Sequence, residues 1–333
     1  MKRKGALHQP FCKHPYVYFV SRFARVTFYV LRLKLVSLAM AKKHEHREQQ
    51  RHSNPSPLAL MWVRLRRHKL ALVSFVVFAV MTAVCATAPL IAPYDAEAID
   101  LGSIRLPPSW EHWMGTDNLG RDLFTRVLYG GRISILIGVL SALIGTGVGS
   151  LVGATSGFYG GWVDNVLMRF TDTAYSIPTL PLLIVLSAYA QAAVPAMILI
   201  IGLLSWMATA RVVRAQVLSI KEMDYVEAAR SMGATNLRLI TRHIVPNAIG
   251  PIIVGVTLAV GNAIIIESSL SFLGLGVQPP TPTWGNMLMD AQATMATRPW
   301  LTIFPGMAIL LIVLSVNFIG DGLQDALDPK GRA

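Results

Sequence analysis

Five long stretches of this 333-residue chain contain no charged residue, and they decide what the chain can fold into. A helix needs about 20 apolar residues to cross the hydrocarbon of a bilayer. The uncharged stretches are 70–92, 133–163, 173–210, 244–266 and 300–320. The stretch 173–210 has 38 residues, which is too many for one crossing. It therefore predicts the third and fourth spans, with a break near 191–195. The pattern therefore predicts an all-α membrane protein with six transmembrane helices.

Charge is scarce and unevenly distributed. Hydrophobic residues make up 53% of the chain and charged residues 14%, whereas about a quarter of a soluble domain is charged. The segment 1–69 holds 16 Lys and Arg against two acidic residues, Glu45 and Glu48. A nucleic-acid-binding domain would spread basic residues over a folded surface, so we expect no nucleic-acid partner. A basic tail beside a nearly neutral body is typical of a segment held at anionic membrane lipid.

The placement of Lys and Arg predicts the orientation, because cytoplasmic loops carry an excess of these residues. With the amino terminus inside, the cytoplasmic segments hold 25 Lys and Arg and the outer segments hold five. Both termini are therefore predicted to be cytoplasmic. Loops 93–132 and 267–299 fall outside the membrane, and loop 211–243 falls inside.

The same pattern divides the chain into four segments. These are a basic cytoplasmic tail (1–57), a first transmembrane helix with its outer loop (58–131), a five-helix core (132–322) and a cytoplasmic carboxyl-terminal tail (323–333). The core contains a long cytoplasmic loop, 211–246. We expect 1–39 to be either an over-extended reading frame or a basic helix lying on the membrane surface, because Met40 is a credible natural start.

Small residues recur every four positions in the second uncharged stretch. They are Ser141, Gly145, Gly149, Gly153 and Gly157. On a helix this spacing forms one stripe, and such stripes let membrane helices approach closely. The stripe predicts internal helix packing, and a moving interface is the alternative.

The cytoplasmic loop is predicted to form a helix, a glycine turn and a second helix. Asp224 and Glu227 have the spacing of a capping box, so a short helix should follow over 225–232. Gly233 can adopt the left-handed conformation that ends it. Thr235 or Asn236 can cap a second helix, which should run to His243 and stop at Pro246.

The residue types around this elbow suit either a packed loop or a docking surface. Ala228, Ala229 and Ala234 would let another surface approach closely, while Tyr225 and Met232 supply apolar contact. From the residues alone, both interpretations stay open.

Glu267 is unusual because it follows 23 uncharged residues and precedes six more. An ionised carboxylate at membrane depth costs at least about 2.5 kcal/mol unless it faces protein or water. It could line a pathway within the membrane together with Ser268 and Ser271 and interact with an ammonium group there. Alternatively, it is an outer-end carboxylate hydrogen-bonded to loop backbone.

Four separated motifs over about 58–330 resemble the C-type permease subunit of dipeptide and oligopeptide importers. This family of ATP-driven ABC importers also contains nickel and glutathione importers. The motif Glu227-Ala228-Ala229, with Gly233 and Pro246 further on, is similar to the family's EAA loop, although His243 and Val245 depart from its usual ending. The other motifs are Gly115-Thr-Asp-Asn-Leu-Gly-Arg-Asp122, Ser271-Phe-Leu-Gly-Leu-Gly276 with Trp284-Gly285, and Gly320-Asp-Gly-Leu323.

The resemblance implies a type I ABC importer permease fold in the bacterial inner membrane. It implies a transport subunit that moves di- or oligopeptides into the cytoplasm with a homologous B-type permease, two ATPase subunits and an extracytoplasmic substrate-binding protein. ATP and Mg would be bound by the ATPase subunits, and no cofactor by this chain. The elbow would couple to an ATPase through Asp224, Tyr225, Glu227, Ala228, Ala229, Gly233, Ala234 and Pro246. Contact with the binding protein is expected from Asp117, Arg121, Asp122 and Trp284.

Motifs for other chemistry are absent from the sequence. There is no Gly-x-x-x-x-Gly-Lys-Ser/Thr, no His-Glu-x-x-His and no Gly-x-Ser-x-Gly, so we expect no ATP site, catalytic residue or metal site in this chain. The main rival is an ion-gradient-driven secondary transporter, which usually has inverted repeats and embedded ionisable pairs. An intramembrane hydrolase is a weaker rival.

Overall fold

The computed structural model describes residues 68–189 and 193–327, and its long elements are all helices. They are α1 (Lys69–Ala86), α2 (Ala88–Ile91), α3 (Leu123–Tyr159), α4 (Gly161–Ser176), α5 (Thr179–Tyr189), α6 (Val194–Leu203), α7 (Trp206–Lys221), α8 (Asp224–Ser231), α9 (Asn236–Leu239), α10 (Val245–Phe272), α11 (Trp284–Ala291) and α12 (Trp300–Leu327). The π turn Ile240–Ile244 joins α9 to α10. The all-α prediction is confirmed, while the predicted tail 1–57 lies outside the described residues.

Four helices in the described ranges are long and apolar enough to cross a membrane. They are Lys69–Ala86, Leu123–Tyr159, the continuous stretch Asn236–Phe272, and Trp300–Leu327. The pair α6 and α7, bent by 42° at 204–205, would make a fifth crossing if it forms one span. The remaining apolar helix, α5, has 11 residues and spans about 16 Å, roughly half the hydrocarbon thickness. This set is consistent with the predicted six spans.

Three helices continue past the uncharged stretches into polar sequence. Helix α7 runs to Lys221, so the first part of the predicted inner loop, from 211, is helical. Helix α10 continues through Glu267 to Phe272, and α12 reaches Leu327, beyond residue 323. A helix can continue beyond the hydrocarbon, where its side chains are hydrated, so an uncharged stretch marks only part of it.

The 37-residue helix α3 is the central element. The carboxylate of Asp122 accepts the backbone N–H of Thr125 at 2.8 Å and so caps its amino terminus. At the other end Gly160 and Gly161 have φ values of +65° and +53°, so the chain turns there into α4. Because a helix rises about 1.5 Å per residue, α3 is much longer than the hydrocarbon is thick.

The stripe of small residues on α3 packs directly against the backbone of α6 and α7. A Cβ atom added at Gly149 would lie 2.5 Å from the carbonyl oxygen of Trp206, and one at Gly157 would lie 2.9 Å from that of Arg214. The hydroxyl of Ser141 donates to the carbonyl of Ile198 at 3.1 Å. The predicted role of the stripe in internal helix packing is confirmed.

Two buried clusters occupy opposite ends of this framework. The outer cluster joins α1, α3, α10, α11 and α12 around Trp284 and Ile264. The inner cluster joins the carboxyl end of α3 to the loop beyond α7. Its members are Phe158, Val213, Val217, Ile220, Val226, Ala229, Leu239, Ile244 and Ala248.

Replacing Gly149 with Ala should lower the stability of the protein by about 1–3 kcal/mol, since overpacking forces backbones apart. The matched control is Gly147→Ala on the same helix, where an added Cβ meets nothing within 4 Å. That change should leave stability unchanged or raise it by up to about 1 kcal/mol, because alanine is the better helix former. Thermal unfolding of the purified protein in detergent measures both, and equal midpoints would contradict the packing role.

Candidate functional site

The first helix of the inner elbow, α8, begins one residue earlier than predicted. Met223 is its N-cap, no side chain caps it, and Asp224 is its first helical residue. The predicted capping box between Asp224 and Glu227 is therefore wrong. Both carboxylates lie instead in the first turn, where negative charge interacts favourably with the helix dipole.

Gly233 ends α8 with a left-handed turn. Its φ is +85°, its N–H donates to the carbonyl of Arg230 at 3.0 Å, and the N–H of Ala234 donates to that of Ala229 at 3.1 Å. This pair of bonds is a Schellman motif. A Cβ added at Gly233 would meet nothing within 4 Å, so the requirement for glycine comes from the backbone conformation and not from crowding.

The second half of the elbow merges with the transmembrane helix that follows it. The hydroxyl of Thr235 accepts the N–H of Arg238 at 3.4 Å, which decides the cap in favour of Thr235. Pro246 does not stop the helix as predicted, because it lies in the first turn of α10, after the π turn. A proline is tolerated in a first turn, where its missing N–H has no helical partner to lose.

The elbow has an inner face and an outer face. Val226 is fully buried and Ala229 is 6% exposed, and both belong to the inner cluster. Ala229 therefore contacts this chain's own core and is not available to another protein in this conformation. The outer face, which we call the docking face, consists of the exposed residues Asp224, Tyr225, Glu227, Ala228, Met232 and Gly233.

Two residues of the docking face supply most of its apolar area. Tyr225 is 42% exposed and Met232 is 82% exposed. The ring of Tyr225 lies 6.5 Å from that of His243, so these rings link the two halves of the elbow. Ala234 is half-buried against the inner cluster, and Pro246 is exposed on α10.

Charged contacts hold the helices beneath the elbow. Arg214 on α7 donates to both oxygens of Asp164 on α4 at 2.6 Å, and this bonding lowers the pKa of the Asp164 carboxyl. Lys221 donates to the carbonyl of Phe158 at 2.6 Å. Arg211 pairs with Asp172 at 2.8 Å. These contacts fix α7 to α3 and α4 just ahead of the elbow.

Glu267 lies at the centre of a buried polar cluster that joins three helices. Its carboxylate accepts the hydroxyls of Ser271 at 2.8 Å and Ser134 at 3.0 Å, with that of Ser268 at 3.5 Å. The Ser134 oxygen also accepts the N–H of Trp284 at 3.3 Å. The cluster thus fixes α10 to α3 and to the amino terminus of α11.

Neither sequence-based account of Glu267 describes these contacts. The side chain has no exposed area, so it does not face a cavity in this conformation, and its hydrogen-bond donors are side-chain hydroxyls and not loop backbone. Ser268 and Ser271 are buried with it. A role for these three residues in the pathway remains a prediction, and it would require another conformation or the partner subunit to expose them.

A second polar cluster organises the outer loop ahead of α3. Asp117 accepts the N–H groups of Leu119 and Arg121 at 2.8 and 3.0 Å and the Arg121 guanidinium at 2.7 Å. Asp122 contacts His112 Nδ1 at 2.9 Å. Arg121 and Arg126 also approach Asp290 at 3.5 and 3.8 Å. Burial raises the pKa of Asp290, and the two arginines oppose that shift.

The residues predicted to contact a binding protein are all buried in this outer region. They are Asp117, Arg121, Asp122 and Trp284. The indole of Trp284 donates to the carbonyl of Val127 at 2.9 Å and has no exposed area. Direct contact with another protein requires an exposure that these side chains lack, so their geometry supports a role in positioning the outer loops.

Sequence reasoning missed a groove along the faces of α7 and α10. It comprises a cavity of about 350 Å³ next to Asn262 and a cavity of about 720 Å³ next to Asn247 and Tyr225. Both cavities are lined by Val212, Pro251, Gly255 and Leu258. No Asp, Glu, Lys or Arg is among the described residues that line either one. Asn247 and Asn262 are unusual in so apolar a helix, and they are the sequence feature that could have indicated this groove.

The described residues contain no group of three His, Cys, Asp or Glu side chains placed to hold a metal ion.

Comparison with known families identifies the kind of protein that carries these features. Residues 145–333 match the binding-protein-dependent transport system inner membrane component, and residues 56–108 match the N-terminal TM domain of oligopeptide transport permease C. The chain belongs to this family of transport permeases. It is a C-type ABC importer permease subunit, a multi-pass protein of the bacterial inner membrane.

Curated relatives resemble this permease over most of their length. A protein of Brucella suis biovar 1 with the provisional name peptide permease is 42% identical over 282 residues, which cover 84% of this chain and 93% of the relative. The glutathione transport system permease protein GsiD of Escherichia coli O6:K15:H31 is 42% identical over 276 residues, which cover 83% and 91%. GsiD of Shigella sonnei has the same identity and coverage.

Replacing Glu267 with Leu should destabilise the permease by about 1–3 kcal/mol for each buried hydroxyl that loses its acceptor. Glu267→Gln keeps an acceptor oxygen and should cost less. Ser269→Ala is the control, because Ser269 lies on the same helix, is only half-buried, and donates to the carbonyl of Ile265 within its own helix. Thermal unfolding in detergent tests this, and a Leu variant as stable as the wild type would contradict the structural role of the cluster.

Proposed function

We propose that this permease moves short peptides into the cytoplasm, together with a homologous B-type permease, two ATPase subunits and an extracytoplasmic substrate-binding protein. The names of the relatives support this substrate class, since one group is named for peptides and the other for glutathione, which is itself a tripeptide. Some transporters of this family carry nickel. The groove is lined by neutral side chains, which do not favour a nickel ion as the substrate.

The proposal rests mainly on how the elbow packs against the rest of the chain. Its inner face is buried against α3 and α7, and its carboxyl end continues without interruption into α10. Its docking face presents two carboxylates and two large apolar side chains. A partner that grips this face therefore moves α10 as well. In the proposed mechanism that partner is the ATPase, which binds ATP and Mg and performs the hydrolysis, whereas this chain is not an enzyme.

The groove along α7 and α10 is the surface that we assign to the pathway. Its polar groups are neutral, among them Ser205, Thr209 and Asn262. Such a wall can hydrogen-bond to peptide backbone without repelling a cargo of either charge sign. The homologous permease would close the groove from the opposite side. Alternating exposure would follow from ATP-driven changes at the elbow, because a ligand shifts such an equilibrium only through its differential affinity for the two states.

Reconstitution into proteoliposomes tests this function against the rival of a secondary transporter. The full complex should accumulate a labelled dipeptide or glutathione only with ATP and the binding protein present. This permease alone should accumulate neither substrate under a proton or sodium gradient. Gradient-driven uptake by the single chain, or a purified complex without an ATPase, would overturn the proposal.

Gly233→Val should abolish ATP-dependent uptake while leaving membrane insertion intact. A non-glycine residue in the left-handed region costs about 1–2 kcal/mol, and a β-branched residue tolerates it poorly. Gly233→Asn should keep substantial uptake, because asparagine adopts this conformation more readily.

Gly161→Val serves as the positional control for this prediction. Gly161 also has a positive φ and open space around its Cβ position, but it lies between α3 and α4 and not in the elbow. Uptake and ATPase co-purification should suffer more from Gly233→Val than from Gly161→Val. Equal losses in the two variants would show general strain and not a coupling defect.

A further inference from the structure

A cleft of about 630 Å³ lies between α1 and α3, away from the groove and from the elbow. One wall comes from the end of α1, including Cys85, and the other from α3 over 129–139. Leu136 on this wall is 44% exposed, so the cleft opens sideways at the level of the hydrocarbon. The transport mechanism proposed above makes no use of it.

The cleft has the dimensions and the polarity gradient of one leaflet. Residues 129–139 of α3 extend about 15 Å along the helix axis, which is half of the roughly 30 Å hydrocarbon thickness. The deeper lining is mostly apolar, with Val139 and Ile135 and the single hydroxyl of Thr82, whereas the charged residues Arg132 and Glu97 lie at the other end. The predicted orientation places this charged end at the outer surface of the membrane.

The two charges at the mouth are exposed, and neither forms an ion pair within 4.0 Å with any residue in the described ranges. The Arg132 guanidinium lies 5.7 Å from the centroid of the Tyr129 ring. Both side chains are exposed and can therefore bind groups outside the protein, while Glu97 also interacts electrostatically with the buried Arg126. A ligand that satisfies both must carry an anion and a cation on one short head, followed by an apolar chain.

We propose that this cleft binds a phospholipid of the outer leaflet whose headgroup carries a primary ammonium, as in phosphatidylethanolamine. Arg132 contacts the phosphate, Glu97 contacts the ammonium, and one acyl chain lies between α1 and α3. An anionic lipid such as phosphatidylglycerol satisfies Arg132 but gives Glu97 no cationic partner. The site therefore prefers the zwitterionic headgroup, and this proposal does not depend on the identity of the transported substrate.

Native mass spectrometry of the full complex, taken from nanodiscs of equal phosphatidylethanolamine and phosphatidylglycerol, measures the retained lipids. Glu97→Gln should lower the ratio of retained phosphatidylethanolamine to phosphatidylglycerol by about fivefold, the effect of one interfacial charge contact. Arg132→Gln should reduce retention of both lipids. Arg169→Gln, an exposed arginine on α4, is the control and should change neither. An unchanged lipid ratio in Glu97→Gln would overturn the proposal.

A photocrosslinking residue at position 136 distinguishes a lipid from a helix of the partner permease. In the assembled complex, irradiation of a Leu136→benzoylphenylalanine variant should yield an adduct with the mass of a phospholipid, and Glu97→Gln should shift the headgroup composition of that adduct. A crosslink to the partner permease in place of a lipid adduct would overturn the site, while ATP-dependent uptake could still proceed normally.

Discussion

The close approach of α7 to the glycine stripe of α3 is the contact on which the rest of the structure depends. Membrane helices gain little from hydrophobic burial against lipid, so van der Waals contact between backbones must supply much of their association. Here the carbonyls of Trp206 and Arg214 lie where larger side chains at Gly149 and Gly157 would project. That approach also brings Arg214 to Asp164 and Lys221 to Phe158, and so determines where the elbow begins.

The sequence predicted features that follow from local chemistry. Uncharged stretches located the long helices, and the left-handed turn at Gly233 followed from its position after a short amphipathic segment. Features that depend on contacts distant in the chain were missed. Nothing near Ala229 indicates that it is buried in this chain's own inner cluster, and the capping-box spacing of Asp224 does not reveal that α8 starts at that residue. The predicted binding-protein contacts of Asp117 and Arg121 overlooked their pairing within one buried loop.

The sequence indicates that Glu267 is important, but it does not predict what the side chain does. A carboxylate after 23 uncharged residues had to be explained, and the sequence identified it correctly as exceptional. Its donors, however, come from three places: Ser271 one turn away, Ser268 next to it, and Ser134 on α3. Only the hydrogen bond from Ser134 joins two different helices. Ser134 and Glu267 are 133 positions apart in the sequence, so a local sequence pattern could not have predicted this contact. Hydrogen bonds from these hydroxyls satisfy the buried carboxyl oxygens without requiring that Glu267 line a pathway.

Helix α10 connects the elbow to the polar cluster around Glu267. Its inner end continues the elbow through the π turn, and its outer end carries Glu267 against Ser134 and the amino terminus of α11. Breaking the Glu267 polar cluster would leave several buried polar groups without partners, each at a cost of about 1–3 kcal/mol. A movement of the elbow would therefore be accommodated more easily at Pro251 within α10, which has no backbone N–H to donate, and at the bend 204–205 between α6 and α7. Both positions border the groove, so the wall assigned to the pathway includes two places where the chain can change shape.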